Sequence, residues 1–510
     1  MRRVRRPKAW TALTALLVAL TLGARLPGLL QDALWQDEIG TARVAVQPSF
    51  RAALDQVVSR ESTPPVFYGG VWVSAHAVWL VRSAAFPFAG LRVISLLCSA
   101  VVTLATFLVA RRIMTRWAAF LAGVLVALAS ELVVHGAELR AYSLFVLVCV
   151  AFAVTLERAV RNPTLGSGAA LAGAVALGSL THYFFLFSLA AGVVWTASVT
   201  RERRVWRRTG LALGAGLVPF LVWTPFFWRQ YRHGYYRWPH AISLRGAARL
   251  YPDLFFPSPY VTAAGVGLQV AFVAAILGGS LALWRRPDAR LWALLAVFPM
   301  LLSVLVWGVG LRIVDTRNLV GTAPFAAVAL AGGLAAVPRV EAARLAGAVL
   351  AGLCVAGFVA GEVGLGRTPY DRLASTLERE GWANDDPIVF FGRYAGVIPV
   401  AWYLTADAPR RPTSRVTEGT PSGGTCGAVY VVAWNRAGRR WLRHNDVYVT
   451  TRATVPSYGY VPRGRRGVND VVVARLGWRG GILDRARAAG ALLFFRSGAS
   501  SPCLVAMPKA

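Results

Sequence analysis

The chain has 510 residues, of which 56% are hydrophobic and only 15% charged; that is more apolar surface than a water-soluble fold needs, and it excludes a wholly soluble protein. The formal net charge is +31, yet the basic residues are nearly all Arg and lie in short clusters between apolar runs, as cytoplasmic loop anchors do, which argues against nucleic-acid binding. Composition therefore points to a mostly α, polytopic helical bundle surrounded by membrane lipids.

Arg2, Arg3, Arg5, Arg6 and Lys8 precede an apolar run over residues 9–30, about the twenty residues that a spanning helix requires. The run is too long for a signal peptide and has no clear small-residue cleavage site before the next acids, so it reads as a retained anchor with a cytoplasmic N-terminus. Leu34-Trp35-Gln36-Asp37-Glu38 follows, where the first helix empties into water. An acid pair there stays ionised while reaching a lipid-borne substrate, which marks Asp37, with Glu38 beside it, as the centre of a catalytic site. A merely solvated loop entrance is the alternative. Next comes Glu61-Ser62-Thr63-Pro64-Pro65, in which consecutive prolines forbid continuous helix. Glu61 either caps a helix or belongs to the site.

Residues 66–81 are apolar but interrupted by Gly69, Gly70 and His76, so they either span the membrane or lie along its surface. Arginine counting selects the surface, because that choice leaves 15 arginines of five short loops, from Arg111 to Arg344, on the cytoplasmic side. Spanning helices are then expected over residues 9–30, 91–110, 117–135, 142–156, 165–180, 184–199, 211–227, 261–284, 291–309, 319–337 and 345–360, about eleven in all. The C-terminus falls outside the cell, in the plasma membrane's extracytoplasmic space.

The outward turns collect a chemically informative set. They hold Asp37, Glu38 and Glu61; His135, Glu138, Arg140 and Tyr142; Thr181, His182 and Tyr183; a basic, aromatic loop over residues 228–260 with Arg232 and Arg237; and Arg312, Asp315, Arg317 and Asn318. Each has a plainer counterpart. Glu138 and Arg140 read equally as a structural ion pair, and Tyr142, Tyr183, Trp228 and Trp238 as belt aromatics. His182 and His233 read as ordinary polar interface residues, and the loop arginines as lipid-headgroup contacts.

From about residue 366 the composition becomes that of a soluble domain. Apolar runs over residues 387–391, 428–432, 446–450, 470–474 and 492–495 read as strands, and residues 372–380 and 396–404 as helices. Cys98, Cys149 and Cys354 lie within apolar runs, whereas Cys426 and Cys503 lie in this tail. If the tail is outside the cell, either a bridge between Cys426 and Cys503 or two free thiols is compatible with the sequence. The chain thus divides into a transmembrane module over residues 1–365, whose residues 31–90 form a first extracytoplasmic loop with an interfacial helix, and a small extracytoplasmic α/β domain over residues 366–510.

The order of these pieces carries a resemblance. An acid pair after the first helix, Glu61-x-x-Pro64-Pro65, an interfacial segment, Glu138-x-Arg140-x-Tyr142, Thr181-His182-Tyr183-Phe184 and Arg317-Asn318 together resemble bacterial glycosyltransferase family 39. That group includes protein O-mannosyltransferases and the aminoarabinose transferase acting on lipid A. The resemblance covers about residues 9–340 and implies the GT-C fold, a polyprenyl-phosphate sugar as donor, and transfer of a hexose or pentose to an extracytoplasmic acceptor. It also implies that Asp37 acts as general base or orients the acceptor. The chain departs from the family at Thr63, where His is usual, which removes support for a metal role resting on that residue; a divalent metal otherwise stays open as a cofactor. Arg140 and Arg317, then Arg232 and Arg237, are the candidates for the departing phosphate. A lipid-linked glycan flippase or polymerase, or a non-catalytic envelope assembly protein, would not require the acid pair.

Overall fold

The computed structural model describes residues 7–30, 33–79, 88–232, 243–310, 313–364, 370–382, 386–391, 400–404, 416–424, 426–455, 471–496 and 503–506. Arg237, Trp238, His233 and Arg312 lie outside the described residues. The chain forms two units: one takes residues 7–30 and 43–362, the other residues 33–42 together with those from 363 onward.

The first unit is helical. After α1 (Pro7–Leu29) the chain forms α2 (Gln36–Ala45), whose residues 36–42 belong to the other unit, and the first unit goes on with the short helices α3 (Phe50–Arg60) and α4 (Val66–Trp79), then α5 (Val93–Ile113), α6 (Arg116–Leu128), α7 (Ser130–Gly136), α8 (Tyr142–Arg161), α9 (Leu165–Ser179) and α10 (Phe185–Val199). The unit continues with α11 (Arg203–Arg232), α12 (Leu244–Phe255), α13 (Ser258–Ala263), α14 (Gly265–Trp284), α15 (Arg290–Gly308), α16 (Ala323–Ala335) and α17 (Val340–Gly364).

A helix or bent helix pair stands over each of the eleven expected runs, but they differ in length. Among the described residues eight helices are long and apolar enough to cross a membrane, and α6 with α7 makes a ninth if that pair, bent by 55°, counts as one span. The apolar helices α9 and α10 have 15 residues each, about 22 Å, which falls short of a hydrocarbon core of roughly 30 Å. Helix α4 is shorter still, at 14 residues or about 21 Å. Conversely α11 extends to 30 residues, taking up Arg203, Arg204, Arg207 and Arg208 that the sequence pattern left in a loop. Arg is a strong helix former, so an apolar span grows readily into a basic flank.

Two local features set the geometry of the site. The break between α6 and α7 falls at Ala129, whose ψ of 125° ends the first helix. Arg25 of α1, buried in the bundle, donates to the carbonyls of Ala127 (2.9 Å) and Leu132 (3.0 Å) on either side of that break, so a guanidinium replaces the helix bonds lost there. A Cβ at Gly136 would collide with Arg25 and Ser99, so the end of α7 docks only as glycine. Elsewhere Gly279 of α14 lies against the Ala329 carbonyl of α16, a close approach that small residues allow in membrane bundles.

The second unit is built around a seven-stranded sheet. Its strands are β1 (Ile388–Phe391), β2 (Val416–Pro421), β3 (Ala428–Ala433), β4 (Val449–Val455), β5 (Val471–Gly477), β6 (Leu492–Arg496) and β7 (Leu504–Ala506), in the order β4-β5-β3-β1-β6-β2-β7. Among the described residues only β1 and β3 pair in parallel. Alternate residues enter two cores. Val389, Phe391, Val429 and Val431 pack with α19 (Arg436–His444) and α20 (Ile482–Ala488), while Ile388, Phe390, Tyr430 and Val432 pack with Leu373 and Leu377 of α18 (Tyr370–Arg379). Burial on both faces makes these strands read as unbroken apolar runs. The strand expected over 446–450 begins only at Val449, because Asp446–Tyr448 forms a 3-10 turn. Cys426 and Cys503 are joined, with their Cα atoms 5.5 Å apart.

Candidate active site

The polar turn after α3 closes on the start of α8. Glu61 caps α3, its N–H donating to the Val57 carbonyl at 3.0 Å. Its carboxylate Oε2 accepts from Tyr68 Oη of α4 at 2.7 Å and from Arg140 Nη1 at 3.0 Å, all three side chains being buried. Thr63 Oγ1 meets the same Tyr68 hydroxyl at 2.8 Å. Burial pushes the Tyr68 phenol well above its ordinary range, against the opposing pull of Arg140, so the hydroxyl keeps the proton it donates to Glu61. A buried ion pair with these additional bonds fixes the direction of the guanidinium.

Beside it, His135 at the end of α7 bridges two carboxylates. Nδ1 lies 3.1 Å from Glu138 Oε2 and Nε2 lies 3.1 Å from Glu131 Oε2, the second contact off the line of a hydrogen bond. A ring protonated at both nitrogens suits this arrangement. The imidazole packs on Tyr142 with centroids 4.2 Å apart, and Tyr142 reaches His182 at 5.6 Å. His182, in the turn between α9 and α10, stacks on Phe145 at 4.4 Å, and its Nδ1 accepts from the Phe184 N–H at 3.3 Å. Burial, reinforced by the positive charges of Arg140 and His135, holds His182 down to about 3, so its ring is neutral at physiological pH.

Tyr183 leads in another direction, donating to Gln230 Oε1 at 2.5 Å near the end of α11. Asp253 of α12 pairs with Arg249 at 3.3 Å. Its carboxyl is pushed up to about 6, by burial above all, against Arg249, with Glu131 and Asp315 adding to the rise. Arg317, in the 3-10 turn Thr316–Thr322, is half-buried and pairs with Asp315 at 3.4 Å. Arg232 is exposed at the end of α11, with its guanidinium 5.3 Å from the Trp228 ring.

Thus Glu61, Glu138, Arg140, Tyr142 and His182 meet at one end of the helical unit. Asp37 and Glu38 belong to the other unit: both lie in the first turn of α2, Asp37 half-buried and Glu38 buried, with Glu38 Oε2 accepting from the Trp35 N–H at 3.3 Å. Within that unit the Leu34 N–H donates to Tyr403 Oη at 2.7 Å. Among the described residues no group of three or more His, Cys, Asp or Glu side chains is arranged to hold a metal ion.

Sequence reasoning overlooked Tyr68, Gln230, Asp253 and Arg25. Arg25 was findable, as the one charged residue of the apolar run over residues 9–30, which inside a membrane marks a residue with a task. Tyr68 and Gln230 carried no such signal.

The chain thus combines a mostly helical unit carrying membrane-length apolar helices with a small mixed sheet, and a buried Glu–Arg pair lies where helices of the first unit end. Residues 69–228 match the family model of dolichyl-phosphate-mannose-protein mannosyltransferases. In fold the chain is similar to ArnT from Cupriavidus metallidurans in the apo state, with a TM-score of 0.53 and 14% identity over 92% of this chain and 98% of that one. The same protein bound to undecaprenyl phosphate gives a TM-score of 0.50 at the same identity and coverage. None of the curated proteins matches at a significant level. The chain is a multi-pass membrane protein that shares the fold of these two ArnT structures.

Proposed function

We propose that this chain moves a sugar from a polyprenyl-phosphate donor to an acceptor of the cell envelope, a glycan, lipid or protein, on the extracytoplasmic side of the plasma membrane. Its N-terminus is then cytoplasmic and its C-terminal unit, over residues 366–510, extracytoplasmic. The observation that most supports this is the buried pair of Glu61 and Arg140, 3.0 Å apart where the apolar helices end, in a chain whose fold is shared with a protein solved with undecaprenyl phosphate. The bridge between Cys426 and Cys503 suits an oxidising compartment.

In the proposed step an acceptor hydroxyl oxygen attacks the anomeric carbon while the bond from that carbon to the phosphate oxygen breaks. The hydroxyl proton passes to the Asp37 carboxylate, and the electron pair of the broken bond leaves with the polyprenyl phosphate, so one displacement inverts the anomeric centre. Glu38 adds negative charge near the oxocarbenium-like transition state. Arg140 and Arg317 as first candidates, and Arg232 and Arg237 as second ones, balance the charge gained by the phosphate. Glu61, Glu138, Tyr142, His182 and Tyr183 are assigned to substrate binding in this reading.

Asp37→Asn tests the assignment. Transfer should fall by more than about a hundredfold, as expected for a lost general base, with membrane insertion unchanged. Retained transfer in that variant rejects the role of Asp37.

A further inference from the structure

Gln230 takes no part in that step, yet it is completely buried within the last turn of α11. Its Nε2 donates to the carbonyls of Val57 (3.1 Å) and Thr63 (3.2 Å), and its Oε1 accepts from Tyr183 Oη, which in turn accepts from Trp223 Nε1 at 2.9 Å. The two carbonyls stand on either side of Glu61. Val57 O is the acceptor that closes α3 at the Glu61 N–H, and Thr63 is the residue whose hydroxyl meets Tyr68. The same turn is tied to the link between α9 and α10 by the Val66 N–H, which donates to the Leu180 carbonyl at 3.1 Å.

The local sequence explains why a side chain is needed. Pro64 and Pro65 have no backbone N–H, so this turn is short of donors, and buried carbonyls left without one are costly. A primary amide supplies two donors from one nitrogen, and Gln230 has both of them and its acceptor engaged.

We propose that Gln230 is a positioning residue. By holding the carbonyls before and after Glu61, it sets where Glu61 and Tyr68 present the Arg140 guanidinium. The kinetic part of this proposal rests on the glycosyl-transfer reading; the geometric part does not.

The test uses the full chain in lipid nanodiscs, as wild type, Gln230→Leu, Gln230→Glu, Glu61→Gln and the double variant of Gln230→Leu with Glu61→Gln. Gln230→Glu keeps the volume and the acceptor while losing the amide donors, which guards against a general packing defect in Gln230→Leu. Backbone hydrogen exchange in peptides covering residues 58–66 should speed up at least about tenfold in both Gln230 variants, while peptides from α8 keep their protection. With a panel of undecaprenyl-phosphate pentoses and hexoses as donor probes, kcat should fall about 10- to 100-fold with donor KM within about threefold, as a small displacement of a reacting group predicts. In the Glu61→Gln background Gln230→Leu should cause no further loss, because it acts through Glu61. Unchanged exchange over residues 58–66, or kinetic losses that multiply in the double variant, would overturn the proposal. If wild type transfers no sugar from the panel, the glycosyl-transfer reading fails, and the exchange result alone decides the role of Gln230.

Discussion

Glu61→Ala removes an acceptor that two donors share. The Glu61 and Arg140 side chains are 3.0 Å apart and only 6% and 8% exposed. At that separation an effective dielectric of about 20 gives an attraction of roughly 5 kcal/mol, which the desolvation of both ions largely offsets. The variant therefore suffers less from losing a favourable pair than from leaving a guanidinium buried without its carboxylate, a cost of about 3–5 kcal/mol. Tyr68 adds about 1 kcal/mol at most, since Thr63 remains 2.8 Å from its hydroxyl. Arg140→Met alone strands the carboxylate and should cost about the same, whereas the double variant removes both charges and should cost clearly less than the sum, with a coupling of about 2–3 kcal/mol. Unfolding of the purified full chain in mixed micelles by an SDS titration, followed by tryptophan fluorescence, measures all four corners of this cycle. Single-variant losses that add to within about 0.5 kcal/mol would refute the buried pair as an interacting unit.

Acid should act through His182. Its folded-state value of about 3 lies below the ordinary 6.5, so as pH falls the unfolded chain takes up the proton first and stability declines between those two values. His182→Gln should flatten the pH–stability curve in that window, and an unchanged slope there would count against the assignment. The bridge between Cys426 and Cys503 spans 77 residues of sequence, for which loop closure gives about 4–5 kcal/mol as an upper figure, so Cys426→Ser should lower the unfolding midpoint of the C-terminal unit. Thiol titration of the denatured, unreduced chain should find three reactive cysteines, Cys98, Cys149 and Cys354, and finding five would exclude the bridge. A reporter fused after Gly366 should be active only if it is one that works after export, and activity of a cytoplasmic reporter there would reverse the proposed orientation.

The turns that the arginine pattern grouped together do meet in several cases, as the contacts among Glu61, Arg140, Tyr142 and His182 show. What remained hidden were residues whose importance depends on what lies opposite them. Tyr68 sits within an apolar helix and looks like a belt aromatic until its hydroxyl is seen 2.7 Å from Glu61. Gln230 is an uncharged residue in a basic flank, and its value comes from carbonyls about 170 residues earlier in the chain. The C-terminal strands β1, β3 and β5 were legible as apolar runs, whereas β2, with Thr417, Glu418 and Gly419 in its middle, was not. Its place is fixed by pairing with β6 and β7, a partner-dependent preference that no single segment carries.

The amino-acid order alone determined that apolar runs of about twenty residues form membrane helices, because a backbone in hydrocarbon must satisfy its own hydrogen bonds, and the change of composition near residue 366 marked a second kind of domain. Tertiary packing alone decided which charges neutralise each other, where α6 breaks and is held by Arg25, and which buried amide holds the turn at Glu61. Those outcomes depend on distances between groups far apart in the chain, and electrostatic and hydrogen-bond energies change steeply over the few ångströms that sequence spacing leaves unspecified.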